Sequence, residues 1–127
     1  MKRKDILITG GAGYIGSHTV VELFKSGYRP IIVDNFSNSS IKNIEGIEQI
    51  IKDKVAFYKF DCTDINQMNQ LFKLENNIEA VIHFAAFKAV DESVRESKKY
   101  YDNNIGSLRI LLDMMKKYDV NNIIFSS

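Results

Sequence analysis

Little in this chain can be cross-linked, chelated or placed across a membrane. Its single cysteine, Cys62, cannot close an internal disulfide, and its two histidines, His18 and His83, are too few and too isolated to form a metal-ligand cluster. That pattern suits a reducing compartment and no bound metal. No apolar run approaches the ~20 residues that span a bilayer. Charge of one sign is lacking too: 17 Lys and Arg against 16 Asp and Glu leave a formal +1, so no basic field argues for nucleic acid or an anionic membrane. The opening Lys2-Arg3-Lys4 reads as a solvated terminus. Met1 leads almost at once into a strand pattern, which leaves no room for a targeting peptide and gives a cytoplasmic expectation. At 127 residues, with 45% hydrophobic and 26% charged, the chain reads as one globular domain with a continuous core.

What is present is a glycine cluster at the junction of two patterns. Asp5-Ile6-Leu7-Ile8-Thr9 is a short apolar run, and Gly10, Gly13 and Gly16 follow at every third position. The same stretch holds Gly11-x-Gly13-x-x-Gly16, so it satisfies the dinucleotide fingerprint and its three-residue-spaced variant together. A chain that turns at once from strand into helix needs backbone angles and close approaches that a Cβ obstructs. A pyrophosphate placed there would meet uncapped N–H groups and the positive end of the helix dipole. The plain reading of such a stretch is a glycine-rich turn that lets a helix pack on a strand. A nucleotide P-loop has the right gap from Gly11 to Gly16, but Ser17-His18 stands where Lys-Ser/Thr is required, which rejects it.

Periodicity organises the rest. Tyr14 to Lys25 reads as a helix with Gly16, Val20, Leu23 and Gly27 on one face, Gly16 as its contact with the sheet and Ser26-Gly27 as its stop. Pro30 opens a second strand, Ile31-Ile32-Val33, whose unbroken β-branched run suits a parallel strand buried on both faces. Ser40 caps a helix buried through Ile41, Ile44, Ile47 and Ile51 and weakened by Gly46. A third strand runs from Val55 to Phe60, and Asp64 with Gln67 forms a capping box for a helix buried through Ile65, Met68, Leu71 and Phe72. Ala80 to Phe84 is a fourth strand, residues 85–97 are irregular, and a long helix from Lys98 to Lys117 faces the core through Ile105, Leu108, Leu112 and Met115. After the Asn121-Asn122 turn, Ile123 begins a fifth strand, expected at a sheet edge with apolar surface exposed.

Strands alternating with helices at this spacing predict an α/β fold, a doubly wound parallel sheet in the order 3-2-1-4-5. Ligands in such sheets bind at the carboxyl ends of the strands, beside the switch point between strands 1 and 4. The glycine loop, Asp34, Asp61 and the Phe84-Ala85-Ala86 turn then surround one crevice. Asp34, about 20 residues beyond the glycines, is the candidate for the adenosine ribose hydroxyls and would repel a 2′-phosphate, which selects NAD over NADP. Asp61 is balanced between capping the next helix and facing an adenine amino group. His83 reads as a packed core histidine, His18 as structural, and Lys88 as either a surface lysine or a neighbour of the nicotinamide ribose.

Four stretches carry a resemblance: Thr9-Gly-Gly-Ala-Gly-Tyr-Ile-Gly-Ser-His18, Asp34-Asn-Phe-Ser-Asn-Ser39, His83-Phe-Ala-Ala-Phe-Lys-Ala-Val90 with Glu92-Ser93, and Tyr100-Tyr-Asp-Asn-Asn104. Together they resemble the UDP-glucose 4-epimerases, a family of extended short-chain dehydrogenases/reductases. The resemblance implies a Rossmann fold over residues 1–127, truncated after strand 5 and without a sugar-binding half. It implies NAD as cofactor, with the backbone of Tyr14 and Ile15 on the pyrophosphate. Asp34, Asn35, Phe36, Ser37, Asn38 and Ser39 would hold the adenosine ribose, and Asp61 and Cys62 would flank the adenine. Phe84, Ala85, Ala86, Phe87 and Lys88 would line the nicotinamide side, and Asn103 would contact the cofactor from the long helix. For the complete protein it implies a UDP-hexose substrate, a homodimer, a place in galactose metabolism and transient oxidation at the sugar C4.

That reaction takes a general base, which in the family is the tyrosine of a Tyr-x-x-x-Lys pair. None of Tyr14, Tyr28, Tyr58, Tyr100, Tyr101 or Tyr118 has a lysine four residues on, and the family's hydroxyl stretch matches only through Phe125-Ser126-Ser127. No catalytic residue is assigned, and these 127 residues are expected to be inactive alone. Two other readings stay open: part of an NAD-dependent nucleotide-sugar dehydratase or decarboxylase, and a non-enzymatic NAD-binding regulatory module. For Asp34→Ala, calorimetric titration should show NAD affinity falling about tenfold or more, as for a lost charged hydrogen bond, with a much smaller change for NADP. Equal losses for both nucleotides would remove the ribose assignment.

Overall fold

The computed structural model describes residues 3–36, 40–84 and 97–125, with the backbone alone over 97–105. In chain order the elements are β1 (Asp5–Thr9), α1 (Tyr14–Lys25), β2 (Arg29–Val33), α2 (Ile41–Ile51), β3 (Ala56–Tyr58), α3 (Ile65–Leu74), β4 (Ile78–His83), α4 (Ser97–Lys117) and β5 (Ile123–Phe125). The strands form one parallel sheet ordered β3-β2-β1-β4-β5, with Leu7 opposite both Ile31 and Val81. Because successive strand residues point to opposite faces, Ile6, Ile8 and Ile32 pack on Val20 of α1 and Ile44 and Ile47 of α2. Leu7, Ile31, Val33 and Val81 pack on Met68, Leu71 and Phe72 of α3 and Leu111, Met114 and Met115 of α4. Helices cover both faces, as the expected doubly wound architecture requires.

The buried faces differ from the expected ones at identifiable places. Ile41 and Ile65 are exposed, because each is the first residue after its cap and lies on the side of the turn away from the sheet. In α4 the buried stripe is Ser107, Leu111, Met114 and Met115, while Leu108 is half-buried and Leu112 exposed. The apolar residues of that helix are too numerous to define one stripe, and docking against α3 selects a face rotated by about one residue, some 100°. The Ile105 side chain lies outside the described residues. Gly27 is not on a helix face at all: it is exposed at φ +94° beyond the Ser26 cap, where it ends α1. The strands also shift at their ends, since β3 spans only Ala56–Tyr58 and β4 begins at Ile78. At the sheet edge, Ile124 and Phe125 expose more than half their surface, as expected of β5.

Capping follows the sequence with two amendments. Ser40 accepts the Lys42 N–H, and Asp64 accepts those of Asn66 and Gln67. The Gln67 side chain does not return to Asp64 but accepts the Asp61 N–H at 2.8 Å, stapling the end of the β3 segment to α3. Arg3 is not merely solvated. Its Nη1 donates to the Phe24 and Tyr28 carbonyls at 2.8 and 2.9 Å, and its guanidinium lies 4.2 Å from the Phe24 ring centroid, closing the carboxyl end of α1.

At the amino-terminal edge of the sheet, Arg29 pairs with Asp5 at 3.3 Å and with Glu75 at 3.1 Å, and the Tyr58 hydroxyl donates to Glu75 at 2.5 Å. Burial would raise the Glu75 carboxyl, but the bonds from Tyr58 and Arg29 outweigh it and hold the group below its ordinary value. Burial, followed by the bond to Glu75, pushes Tyr58 up to about 12. A depressed carboxyl contributes stability that is present above its unfolded pKa and lost as pH falls through the folded one. Glu75→Gln should therefore cost about 0.5–1 kcal/mol near neutrality, a partly exposed pair being worth no more. In thermal unfolding followed by circular dichroism, the gap between variant and wild type should close as pH drops below about 4.

Candidate functional site

The site is built where β1 ends and α1 begins. Gly10 adopts φ +71°, a left-handed conformation that L side chains rarely take, and its N–H donates to the Val33 carbonyl at 2.8 Å, so the turn starts pinned to β2. The Gly13 N–H returns to the Gly10 carbonyl at 3.1 Å. A Cβ on Gly16 would run into that same Gly10 oxygen and lie 2.9 Å from the Gly11 Cα. The sequence expectation that Gly16 touches the sheet is thereby corrected: Gly16 seats α1 on the turn, and Gly11 is the residue against the sheet, its missing Cβ 2.9 Å from Ile32 side-chain carbons.

No side chain caps α1, and its first turn holds no acidic residue. Tyr14 and Ile15 are largely exposed, and the Tyr14 ring meets His18 edge-on at 4.8 Å. The helix end keeps its backbone donors and its dipole without a competing carboxylate of its own, an arrangement that accepts an anion.

Asp34 stands directly beyond β2. One carboxylate oxygen accepts the Ala12 N–H at 3.2 Å and the other the Phe36 N–H at 2.7 Å, so the acid joins the glycine turn to the loop that follows it. Phe36 sits at φ +60°, strained for a side-chain-bearing residue, with its ring edge-on to Phe57 at 6.4 Å; Asn35 is exposed. Asp61 spends its carboxylate on the Thr63 N–H and hydroxyl at 2.9 and 2.7 Å, which favours the local turn role for that oxygen. Cys62 is buried, and burial, with smaller contributions from Asp61 and Asp34, pushes its thiol up to about 12. Cys62 is a packing group of the core whose surroundings include both carboxylates.

On the other side of β1, the Thr9 hydroxyl lies 2.6 Å from His83 Nδ1 and accepts the Phe84 N–H at 2.9 Å, holding β1 and β4 together at the point where the strand order reverses. His83 is buried, its ring edge-on to Phe125 at 5.4 Å, and burial lowers its pKa, which agrees with a core histidine in its neutral form. The fold thus brings Gly10, Gly13, Tyr14, Ile15, Gly16, Asp34, Asn35, Phe36, Asp61, Cys62 and Phe84 to the carboxyl ends of β1, β2, β3 and β4. Ser37, Asn38, Ser39, Ala85, Ala86, Phe87, Lys88 and the Asn103 side chain lie outside the described residues.

One residue of the site was not anticipated. Asn43, in the first turn of α2, donates from Nδ2 to the Ala12 carbonyl at 2.6 Å. Its only trace in the sequence is a weak helix former three places after a Ser cap.

A glycine turn pinned to β2, an uncapped helix start and a carboxylate across the turn fit a dinucleotide. Fold and site define the class: a dinucleotide-binding domain of the Rossmann type. A family model described as GDP-mannose 4,6 dehydratase matches residues 7–127, and the chain belongs to that family. It is 51% identical over 122 residues to the UDP-glucose 4-epimerase of Bacillus subtilis, a match covering 96% of this chain and 36% of that protein. Against the Dictyostelium discoideum UDP-glucose 4-epimerase it is 48% identical over 122 residues, 96% of this chain and 35% of that one. The Bifidobacterium longum UDP-glucose 4-epimerase, crystallised with NAD+ and UDP, superimposes with a TM-score of 0.93 at 50% identity, over 98% of this chain and 37% of that one. The Stenotrophomonas maltophila UDP-glucose 4-epimerase, crystallised with NAD and formylated UDP-arabinopyranose, gives 0.92 at 41% identity, over 98% and 37%. The chain spans about a third of the length of the curated Bacillus subtilis and Dictyostelium discoideum epimerases.

Replacing Gly16 by Ala forces a methyl group against the Gly10 carbonyl. Thermal unfolding should show a loss of about 1–3 kcal/mol, the usual cost of overpacking against backbone, whereas Gly46→Ala, with open space around it, should be neutral or stabilising.

Proposed function

We propose that this chain is the NAD-binding portion of an enzyme that interconverts UDP-galactose and UDP-glucose by transient oxidation at the sugar C4. The observation that carries the reading is the glycine turn bracketed by Asp34, in a chain about half identical to epimerases that bind NAD and UDP. The backbone N–H groups of Tyr14 and Ile15, at the uncapped start of α1, bind the pyrophosphate. Asp34 accepts from the adenosine ribose hydroxyls and its charge disfavours a 2′-phosphate. Asn35, Phe36, Ser37, Asn38 and Ser39 surround that ribose, and Asp61 and Cys62 border the adenine, Cys62 by packing alone. Phe84 through Lys88 line the nicotinamide side and Asn103 approaches from α4. When bound, NAD supplies the hydride acceptor.

Deprotonation of the C4 hydroxyl is not carried by this chain, since no Tyr-x-x-x-Lys pair occurs in its 127 residues. On the same reading, residues 1–127 form one domain, and the complete enzyme is a cytoplasmic homodimer of galactose metabolism acting on UDP-hexoses. The test is a titration with NAD alongside a coupled assay of UDP-galactose conversion. The chain is expected to bind NAD and to show no turnover. Absence of NAD binding would overturn the cofactor role, and steady interconversion would overturn the assignment of the base outside these residues.

A further inference from the structure

We propose that Asn43 is a positioning residue for the pyrophosphate, holding the glycine turn in its anion-binding conformation from α2. The inference rests on the NAD-binding reading and adds to it a residue outside the glycine motif and outside the loop that carries Asp34.

Ala12 is fully buried, so its N–H and C=O both need partners. Asp34 takes the N–H at 3.2 Å, and Asn43 Nδ2 donates to the C=O at 2.6 Å. The orientation of the Asn43 amide is set by chemistry: a carbonyl only accepts, so the NH2 end must face it. The carbonyl held by Asn43 belongs to the Ala12–Gly13 peptide, whose N–H donates to Gly10 O at 3.1 Å. That peptide is therefore fixed on both edges, and it is the last one before the Tyr14 and Ile15 donors. If it rotates, the direction in which the first N–H groups of α1 point rotates with it.

Asn43 itself is placed firmly. It lies in the first turn of α2, its N–H bonded to Ser40 O at 2.9 Å, and the next residue, Ile44, is buried against the sheet at 2% exposure. The residue as a whole is exposed, so water can replace its bond to Ala12 if it is removed. Loss of Asn43 is thus expected to loosen the turn without unfolding the chain.

Two substitutions separate positioning from bulk stability. Asn43→Leu keeps the branched shape and removes the donor. Asn43→Asp removes the donor while adding a negative charge that the α2 amino terminus favours, so the helix stays intact. The readouts are calorimetric or NMR titrations with adenosine, ADP and NAD, thermal unfolding, and amide hydrogen exchange of Ala12 and Gly13 in the chain without nucleotide. For Asn43→Leu, affinity for ADP and NAD should fall about fivefold, the effect of one lost net hydrogen bond. Adenosine affinity and unfolding temperature should stay near wild type, and Ala12 and Gly13 should exchange several-fold faster. Asn43→Asp should lose at least as much ADP and NAD affinity without any fall in unfolding temperature. Unchanged NAD affinity in both variants would overturn the proposal, as would equal losses for adenosine, ADP and NAD that track a lower unfolding temperature. If the wild-type chain itself fails to bind NAD, the proposed function falls; the exchange rates then decide whether Asn43 holds the turn, and unchanged rates overturn it.

Discussion

The structure depends on one close approach, that of Gly16 to the carbonyl of Gly10. A strand that passes within four residues into a helix must bring the first helical turn against its own connecting loop, and no side-chain atom fits between them. From that contact follow the direction of α1 across the sheet, the position of Val20 over Ile8 and Ile32, and the exposure of the helix start at the carboxyl edge. Gly10 and Gly11 serve the same geometry differently. Gly10 supplies a left-handed backbone angle, and Gly11 lets the turn lie on Ile32 of the neighbouring strand.

Around this contact, bonds that hold the fold together also shape the site. Asp34 supports the turn through Ala12 and the following loop through Phe36, so the residue with the ligand role in the proposed function is anchored by backbone donors. On the opposite flank the Thr9 hydroxyl ties His83 and the Phe84 amide to β1, fixing where the chain leaves β4. The carboxyl ends of β1 and β4 thus meet at a buried, hydrogen-bonded base. Pre-organisation of this kind spares a ligand the cost of ordering the loop that receives it.

The two ends of the sheet are treated differently. At the amino-terminal edge, Asp5, Arg29, Glu75 and Tyr58 satisfy one another and close that end with paired charge. At the carboxyl edge, α1 begins uncapped, Cys62 and His83 are buried, and Asp34 and Asp61 are engaged with backbone. What the described residues of that edge offer a ligand is chiefly main chain, and backbone donors at a helix start hold an anion without a basic side chain.

Much of this was legible in the residues themselves. Glycines at 10, 13 and 16 between an apolar run and an amphipathic segment leave few conformations open, and the alternation of strands with helices defines strand order because parallel crossovers have one hand. Asp34 was legible through its distance from the glycines, and His83 through its place inside an apolar strand. Which residue of α4 faces the sheet, why Ile41 and Ile65 stay outside, and that Gln67 reaches Asp61 were decided only on packing, because a helix with apolar residues on several sides is oriented by its neighbours. Asn43 belongs with these: 31 residues separate it from Ala12, and no local pattern links an amide in one helix to a carbonyl in another turn. The sequence by itself determined the strand–turn–helix, the doubly wound order and the acid at the end of β2, since each rests on local sterics and periodicity. Tertiary structure alone decided which side chains hold the turn in place, because a hydrogen bond between distant segments exists only once the sheet has brought them together.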